Sequence, residues 1–325
     1  MPRIVLLTTL LFLILLTSLS AFQNWFDGNH INDQIKKPLT PEIVSWKIPD
    51  IRSIPGNDSG KRILYGRDLI VNTAYYLGPE GIVMSVSNGL NCQNCHLDAG
   101  TRLWGNNFGA VASLYPKFRE RSGTIESIEK KINDCFERSM NGKTIDSTGR
   151  EMQAMIAYIK WLGSTVEKGV KPYGSGAKKI EYAERAADTV KGRAVFMSTC
   201  ATCHGINGGG KLNPDNKTYM YPPLWGPHSY NYGAGIYRLS KFAAFIKYNM
   251  PFGVTHDNPI LTDEQAWDVA AFVNSQPRPG KDISHDWPDI TRKPVDHPFG
   301  PYADIFSETQ HKYGPFAEIE KAGMK

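Results

Sequence analysis

The pattern Cys-x-x-Cys-His occurs twice in the chain, and it constrains the fold more than any other feature. It stands at residues 92–96 and recurs 108 positions later at residues 200–204. Two thiols followed directly by an imidazole are typical of a c-type haem site: the thiols add to the haem vinyl groups, and the His becomes the proximal iron ligand. The sequence therefore predicts two covalently attached haem c groups. The attachment residues are Cys92, Cys95, Cys200 and Cys203, and the proximal ligands are His96 and His204.

Two other sites use the same cysteine spacing. A zinc site would require two further Cys or His at paired spacing. A redox disulfide has no need for a His fused to the second Cys in both copies. The haem interpretation is therefore favoured over both.

The parts around each motif also repeat. A helical pattern containing Trp161 ends the first copy, 65 residues after His96, and one containing Trp267 ends the second, 63 residues after His204. A short helix over residues 192–196 leads into the second motif. This arrangement resembles the class I cytochrome c fold, so we expect an all-α protein with two such domains in tandem.

The rest of the chain divides by composition. A short basic start, an apolar run over 4–16 and small residues over 17–21 are typical of a secretory signal, cleaved near Ser20 or Ala21; an uncleaved anchor is the alternative. We therefore expect export, to the periplasm in a bacterium. The predicted organisation is a signal at 1–21, an irregular arm at 22–64, a first cytochrome domain at 65–164, a linker at 165–190, a second cytochrome domain at 191–278 and an irregular, Pro-rich strap at 279–325.

Composition excludes several classes of protein. Hydrophobic residues make up 41% of the chain and charged residues 21%, which rules out a largely disordered chain and a polytopic membrane protein. The formal net charge of +5 is too small to argue for a nucleic-acid partner.

The sixth iron ligand of the second haem is predicted to be Met250. It lies 46 residues after His204, is followed by Pro251 and stands just before the last helix of the domain. Thioether ligation favours ferrous iron and raises the potential. Met220 competes, but it follows His204 by only 16 residues, too few to cross the haem.

The first domain has two candidates for the sixth ligand. Cys135 is the one cysteine left over after haem attachment, and it shares a predicted helical face with Ile125, Ile128, Ile132 and Phe136, ahead of a stop at 141–142. It lies 39 residues after His96. Met140 lies 44 residues after His96, closer to the spacing in the second domain, whereas the chemistry of a lone thiol beside a haem favours Cys135.

These stretches together resemble the thiosulfate dehydrogenase family, dihaem cytochromes c that interconvert thiosulfate and tetrathionate. The matching segments are residues 92–101, 132–142, 200–204, 249–253 and 298–304. The resemblance implies that Cys135 is the distal ligand of the active-site haem. Some relatives carry Lys immediately before the distal Met of the second haem; here that position is Asn249, so we expect His204 and Met250 to remain the ligands in both redox states.

Joining two thiosulfate dianions requires positive charge near the first haem, because two unit charges 4 Å apart repel by about 1 kcal/mol even in water. Arg121 is the preferred oxyanion clamp, since a guanidinium fork suits sulfonate oxygens. Arg102, Lys131 and Ser139 are further candidates; Lys131 and Ser139 share the helix face of Cys135. A soluble c-type cytochrome or similar carrier is the expected electron partner.

Three other functions stay open at this level. They are a dihaem electron shuttle without its own substrate, a partner-dependent cytochrome of sulfur oxidation, and a dihaem peroxidase. The shuttle would use Met140 as ligand, and Cys135 with its flanking residues argues against the peroxidase.

Overall fold

The computed structural model describes residues 45–323, so the predicted signal segment and residues 22–44 of the predicted arm lie outside the described part. This part is mostly helical. The α-helices are Asp58–Val71, Thr73–Leu77, Leu97–Gly100, Val111–Leu114, Ile128–Arg138, Arg150–Leu162, Thr189–Val195, Ala201–His204, Leu239–Asn249, Asp263–Ser275, Glu308–Tyr313 and Phe316–Gly323. A π-helical turn covers Phe196–Cys200, and 3-10 turns cover Ile51–Ser53, Cys92–Asn94, Gly235–Tyr237 and Ile290–Arg292.

Two short antiparallel hairpins accompany the helices. Lys117–Arg119 pairs with Thr124–Glu126, with Phe118 opposite Ile125. Lys211–Leu212 pairs with Tyr219–Tyr221. Between residues 45 and 323, no helix combines the length and the apolar character that a membrane crossing requires.

Each half of the described chain is built on one crossed pair of helices. In the first half, helix Asp58–Val71 crosses helix Arg150–Leu162 at Gly66, where an added Cβ would lie 1.9 Å from the Ala154 carbonyl oxygen. In the second, helix Thr189–Val195 crosses helix Asp263–Ser275 at Gly192, where a Cβ would lie 1.9 Å from the Asp268 carbonyl oxygen. The same backbone approach in both halves confirms the predicted tandem fold.

Each half has its own hydrophobic core. The first core contains Trp46, Leu69, Met152, Met155 and Leu162, and the second contains Phe196, Trp267, Val269, Phe316 and Ile319. Trp46 also donates a hydrogen bond from Nε1 to the Leu162 carbonyl oxygen at 3.1 Å. The described end of the arm therefore packs on the first domain.

The first long helix begins within the predicted arm. We expected irregular chain through residue 64, but the helix already begins at Asp58. Asn57 caps it, because its side-chain oxygen accepts the Gly60 N–H at 3.1 Å. A break at Asn72 then separates the helices Asp58–Val71 and Thr73–Leu77. The predicted boundary at 64/65 thus falls inside a helix.

The tail also differs from the prediction in part. Residues 277–307 are irregular apart from the turn at Ile290–Arg292, but Glu308–Tyr313 and Phe316–Gly323 are helical. The prolines are concentrated earlier in the tail, and Ser307 caps the first of these helices by accepting the Gln310 N–H at 3.2 Å. Phe316 is buried against Trp267, with ring centroids 5.6 Å apart.

Candidate active site

The first Cys-x-x-Cys-His motif begins in the 3-10 turn Cys92–Asn94. The Cys92 N–H donates to Thr73 Oγ1 at 3.0 Å, and the His96 N–H donates back to the Cys92 carbonyl oxygen at 2.9 Å. Burial raises the pKa of Cys92 to about 11 and that of Cys95 to about 12, so both are thiols at neutral pH. All five cysteines, which lie within the described residues, are free, as thioether attachment requires.

Both motif histidines are fixed in the orientation that a proximal haem ligand needs. His96 Nδ1 lies 2.6 Å from the Asn106 carbonyl oxygen, and His204 Nδ1 lies 2.8 Å from that of Pro222. A carbonyl oxygen only accepts, so Nδ1 carries the proton in each ring and the Nε2 lone pair is left for a metal. The residues present therefore fit two c-type haems. In residues 45–323 no group of three or more His, Cys, Asp or Glu is arranged around a metal position.

The two candidate methionines of the second domain lie in different surroundings. Met220 is 48% exposed on a strand that ends one residue before Pro222, the partner of His204. Met250 directly follows helix Leu239–Asn249 and packs on the second core. Its neighbour Asn249 is buried, with its amide directed at the Phe245 carbonyl oxygen at 3.2 Å.

Cys135 lies in the middle of helix Ile128–Arg138 and faces the first motif. Burial tends to raise its pKa, but Lys131, the adjacent His96 imidazole and Arg121 lower the pKa to about 7. Its charge in turn raises the pKa of Cys92 and Cys95. The structure thus brings the odd cysteine, His96 and two of the predicted cations together.

The residues at the C-terminal end of this helix have structural surroundings. Met140, the rival candidate, is fully buried in the first core. Ser139 caps the C-terminus of the helix, and Asn141 with a φ of 40° turns the chain away, as the predicted stop requires. The predicted apolar face is wrong at one position: Ile125 is 72% exposed on a strand, because the helix starts only at Ile128 after the Ser127 cap.

Arg121 is held by a buried carboxylate. Its Nη2 lies 2.8 Å from Asp134 Oδ2, with the two side chains only 15% and 4% exposed. Lys130 contacts the other carboxylate oxygen of Asp134. Asp134 is therefore a partner that the sequence analysis missed, although it stands directly before Cys135 and four residues after Lys130.

Arg102 forms an ion pair with a carboxylate close to it in the sequence. The Arg102 Nε lies 2.8 Å from Asp98 Oδ2, and both residues belong to the segment that follows His96. The carbonyl oxygen of Asn106, in the same segment, accepts the hydrogen bond from the His96 ring. The structure thus groups Arg102 with the segment that supports the proximal imidazole, and it groups Lys131, Arg121 and Ser139 with Cys135.

Two further residues of this region carried no sequence signal. Glu126 is 1% exposed, and neither of its carboxylate oxygens has a hydrogen-bond partner; the nearest cation is Arg119, with Nε at 3.9 Å. Tyr115 lies close to Glu126 and Arg119. Burial raises the pKa of its hydroxyl; Glu126 and Cys135 raise this pKa further, whereas Arg119 and Arg121 lower it. Glu126 was hidden because a three-residue strand has no recognisable period, and Tyr115 because it follows a helix of only four residues, Val111–Leu114.

The fold and the two motifs define a dihaem c-type cytochrome. The family model described as "SoxA/TsdA, cytochrome c domain" matches residues 84–166, and the model described as "Cytochrome c" matches residues 189–277. The protein has two tandem cytochrome c domains and two covalently bound haem c groups.

Comparison with individual proteins narrows the class. The chain is 38% identical over 243 residues to the thiosulfate dehydrogenase of Psychrobacter arcticus, covering 74% of this chain and 71% of that protein. It is 37% identical to that of Allochromatium vinosum, covering 74% and 86%. The solved structure of the thiosulfate dehydrogenase TsdBA from Marichromatium purpuratum superposes with a TM-score of 0.67 at 32% identity, over 73% of this chain and half of that one. The chain belongs to the thiosulfate dehydrogenase family, and it is an oxidoreductase acting on sulfur compounds.

Proposed function

We propose that the protein interconverts thiosulfate and tetrathionate, with two thiosulfates giving one tetrathionate and two electrons. The observation that carries this proposal is Cys135, a soft nucleophile that faces His96 beside the cations Lys131 and Arg121. The sequence relationship to thiosulfate dehydrogenases supports the same substrate pair.

The proposed iron ligands are His96 and Cys135 in the first domain and His204 and Met250 in the second. The carbonyl-bonded histidines support the proximal pair. The exposure of Met220 supports Met250 over it. The haems, when bound, accept the two electrons one at a time and pass them on.

In the proposed mechanism Cys135 would hold the iron of the first haem as a labile ligand, so that its thiolate is available to react. The thiolate forms an S–S bond with the outer sulfur of one thiosulfate, an oxidation whose two electrons the bound haems would accept. A second thiosulfate attacks the outer sulfur of this adduct, which releases tetrathionate and returns Cys135 as a thiolate. Lys131 and Arg121 offset the repulsion between the two anions.

Arg121 suits the role of oxyanion clamp because its position is set before substrate arrives. The Asp134 carboxylate occupies Nη2, so the other donors of the guanidinium remain for sulfonate oxygens. Ser139, at the end of the same helix as Cys135, offers a hydroxyl. Arg102 has a supporting place in this scheme, through Asp98 and the segment behind His96.

The remaining proposals concern location, electron partner and domain limits. We propose that residues 1–21 direct export to the periplasm. The electrons leave through the second haem to a soluble c-type cytochrome or similar carrier. The domain limits are those given from the sequence, with the first domain extended back to the Asn57 cap.

One optical experiment tests the substrate pair. Thiosulfate is added to the oxidised protein and tetrathionate to the reduced protein, and the haem bands are followed. Fast reduction in the first case, or fast reoxidation in the second, is expected. No response in either would leave an electron shuttle or a partner-dependent cytochrome.

The role of Cys135 is tested by Cys135→Gly, with Met140→Leu, just beyond the end of the same helix, as the control. We expect Cys135→Gly to retain both haems and lose turnover, and Met140→Leu to keep turnover. Near-full activity of Cys135→Gly would refute the mechanism.

A further inference from the structure

Residues 281–288 of the tail, here called the bracing segment, cross the two elements that carry the proposed sulfur site. The Asp286 carboxylate accepts two hydrogen bonds from Arg138, at 2.7 Å each, with the side chains 11% and 13% exposed. Arg138 is the last residue of the Cys135 helix. The bracing segment is therefore bound to the helix of the proposed nucleophile through a nearly buried, bidentate ion pair.

The next residues of the segment bind the other element. The Trp287 N–H donates to the Arg121 carbonyl oxygen at 2.7 Å. Pro288 lies against the hairpin turn at Gly123, where an added Cβ would come within 2.6 Å of the Pro288 ring. Three consecutive residues thus contact the helix of Cys135 and the turn that carries Arg121.

Trp287 has an unusual backbone conformation. Its φ is 62°, a left-handed value that bulky side chains rarely adopt. Such a conformation persists where the surroundings determine it on both sides, and it occurs most often at functional sites. Here Asp286 is fixed by Arg138 and the Trp287 N–H is fixed by Arg121, so the two links impose the conformation together.

The two braced elements must keep a constant separation for the proposed chemistry, because Arg121 is to hold the anion that Cys135 attacks. Within the first domain the ion pair between Arg121 and Asp134 is one link between hairpin and helix. We propose that Asp286 and Trp287 are positioning residues for the sulfur site, which hold the Arg121 turn and the Cys135 helix in register from outside the first domain. The inference rests on the proposed function, because it assigns a purpose to that separation.

The test compares Asp286→Asn with a matched ion-pair control. Asp268→Asn removes an equivalent bidentate partner, that of Arg185 at 2.9 and 2.8 Å, from the second domain. A misplacement of about 1 Å at a reacting site costs roughly 100-fold in rate. We therefore expect kcat/KM for thiosulfate to fall roughly 10- to 100-fold in Asp286→Asn, with a rise in KM and a weaker near-infrared band of thiolate-ligated haem. Asp268→Asn is expected to lower thermal stability and leave KM and that band unchanged.

A second pair of variants keeps the test decisive. If Asp286→Asn does not accumulate, Arg138→Lys, which keeps the charge and loses the fork, is measured in the same way. A wild-type KM together with an unchanged thiolate band, in Asp286→Asn or in Arg138→Lys, would overturn the inference. Changes in KM and in that band of the same size in Asp268→Asn would also overturn it. A wild-type protein that is silent towards both thiosulfate and tetrathionate would instead overturn the proposed function, and the thiolate band would still report on Cys135.

Discussion

The close helix crossing at Gly192 gives a prediction with a magnitude. In Gly192→Ala the new Cβ would lie 1.9 Å from the Asp268 carbonyl oxygen and 2.4 Å from its carbon. Both are backbone atoms that cannot rotate away, so the two helices must separate by about 1 Å or more to restore ordinary contact. A gap of that size forfeits roughly a quarter to a half of the dispersion energy along the interface. We expect a destabilisation of about 3 kcal/mol, the upper range for overpacked cores.

Thermal and denaturant unfolding, followed by circular dichroism, check this value. The expected loss corresponds to a fall in Tm of roughly 4–5 °C for a chain of 325 residues that unfolds as one unit. Gly56→Ala is the control, because Gly56 is exposed and an added Cβ there would meet no heavy atom within 4 Å. Its unfolding should stay within about 0.5 kcal/mol of wild type. If Gly192→Ala were as stable as Gly56→Ala, the crossing would not be as close as described, and the reasoning would fail.

Three further outcomes are expected. Met250→Ala should lower the reduction potential of one haem strongly, because it removes the proposed thioether ligand, whereas Met220→Ala should leave both potentials unchanged in a redox titration. Lys131→Gln should lower kcat/KM for thiosulfate about tenfold, because Lys131 is the cation that most favours the Cys135 thiolate. Wild-type kcat/KM in Lys131→Gln would contradict the role of that cation. Burial lowers the pKa of His297 to about 4, so the folded ring stays neutral while the unfolded ring takes up a proton below about 6.5. The free energy of unfolding should thus drop by about 2–3 kcal/mol between pH 7 and 4.5, and His297→Gln, compared with wild type by urea unfolding at both values, should lose that part of the drop.

Local patterns predicted the frame of the molecule. The spacing from each motif His to Trp161 or Trp267 indicated two copies of one domain, and the helices that contain these residues are present. The helix of Cys135 was also predictable, because Phe136 and its apolar neighbours recur at helical spacing. Ile125 fitted the same spacing and yet lies on a strand, since three-residue strands leave no period by which to recognise them.

The charges of the proposed site were less predictable. Arg121 and Lys131 were expected near Cys135 and act on it, but Arg102 pairs with Asp98 instead. The ion pair of Arg138 with Asp286 joins residues 148 positions apart. No local pattern marks such a pair, because its partners meet only through the packing of the whole chain.

The distance along the chain between Arg138 and Asp286 has a consequence for how the protein matures. The helix of Cys135 is synthesised long before the residues that brace it. The ion pair between Arg138 and Asp286 therefore cannot form until the chain has been synthesised past the second domain. A chain that ended between Ser275 and Asp286 would keep both crossed helix pairs but would lose the ion-pair partner of Arg138. On the inference above, such a chain would keep its two haem domains and have a poorly positioned sulfur site.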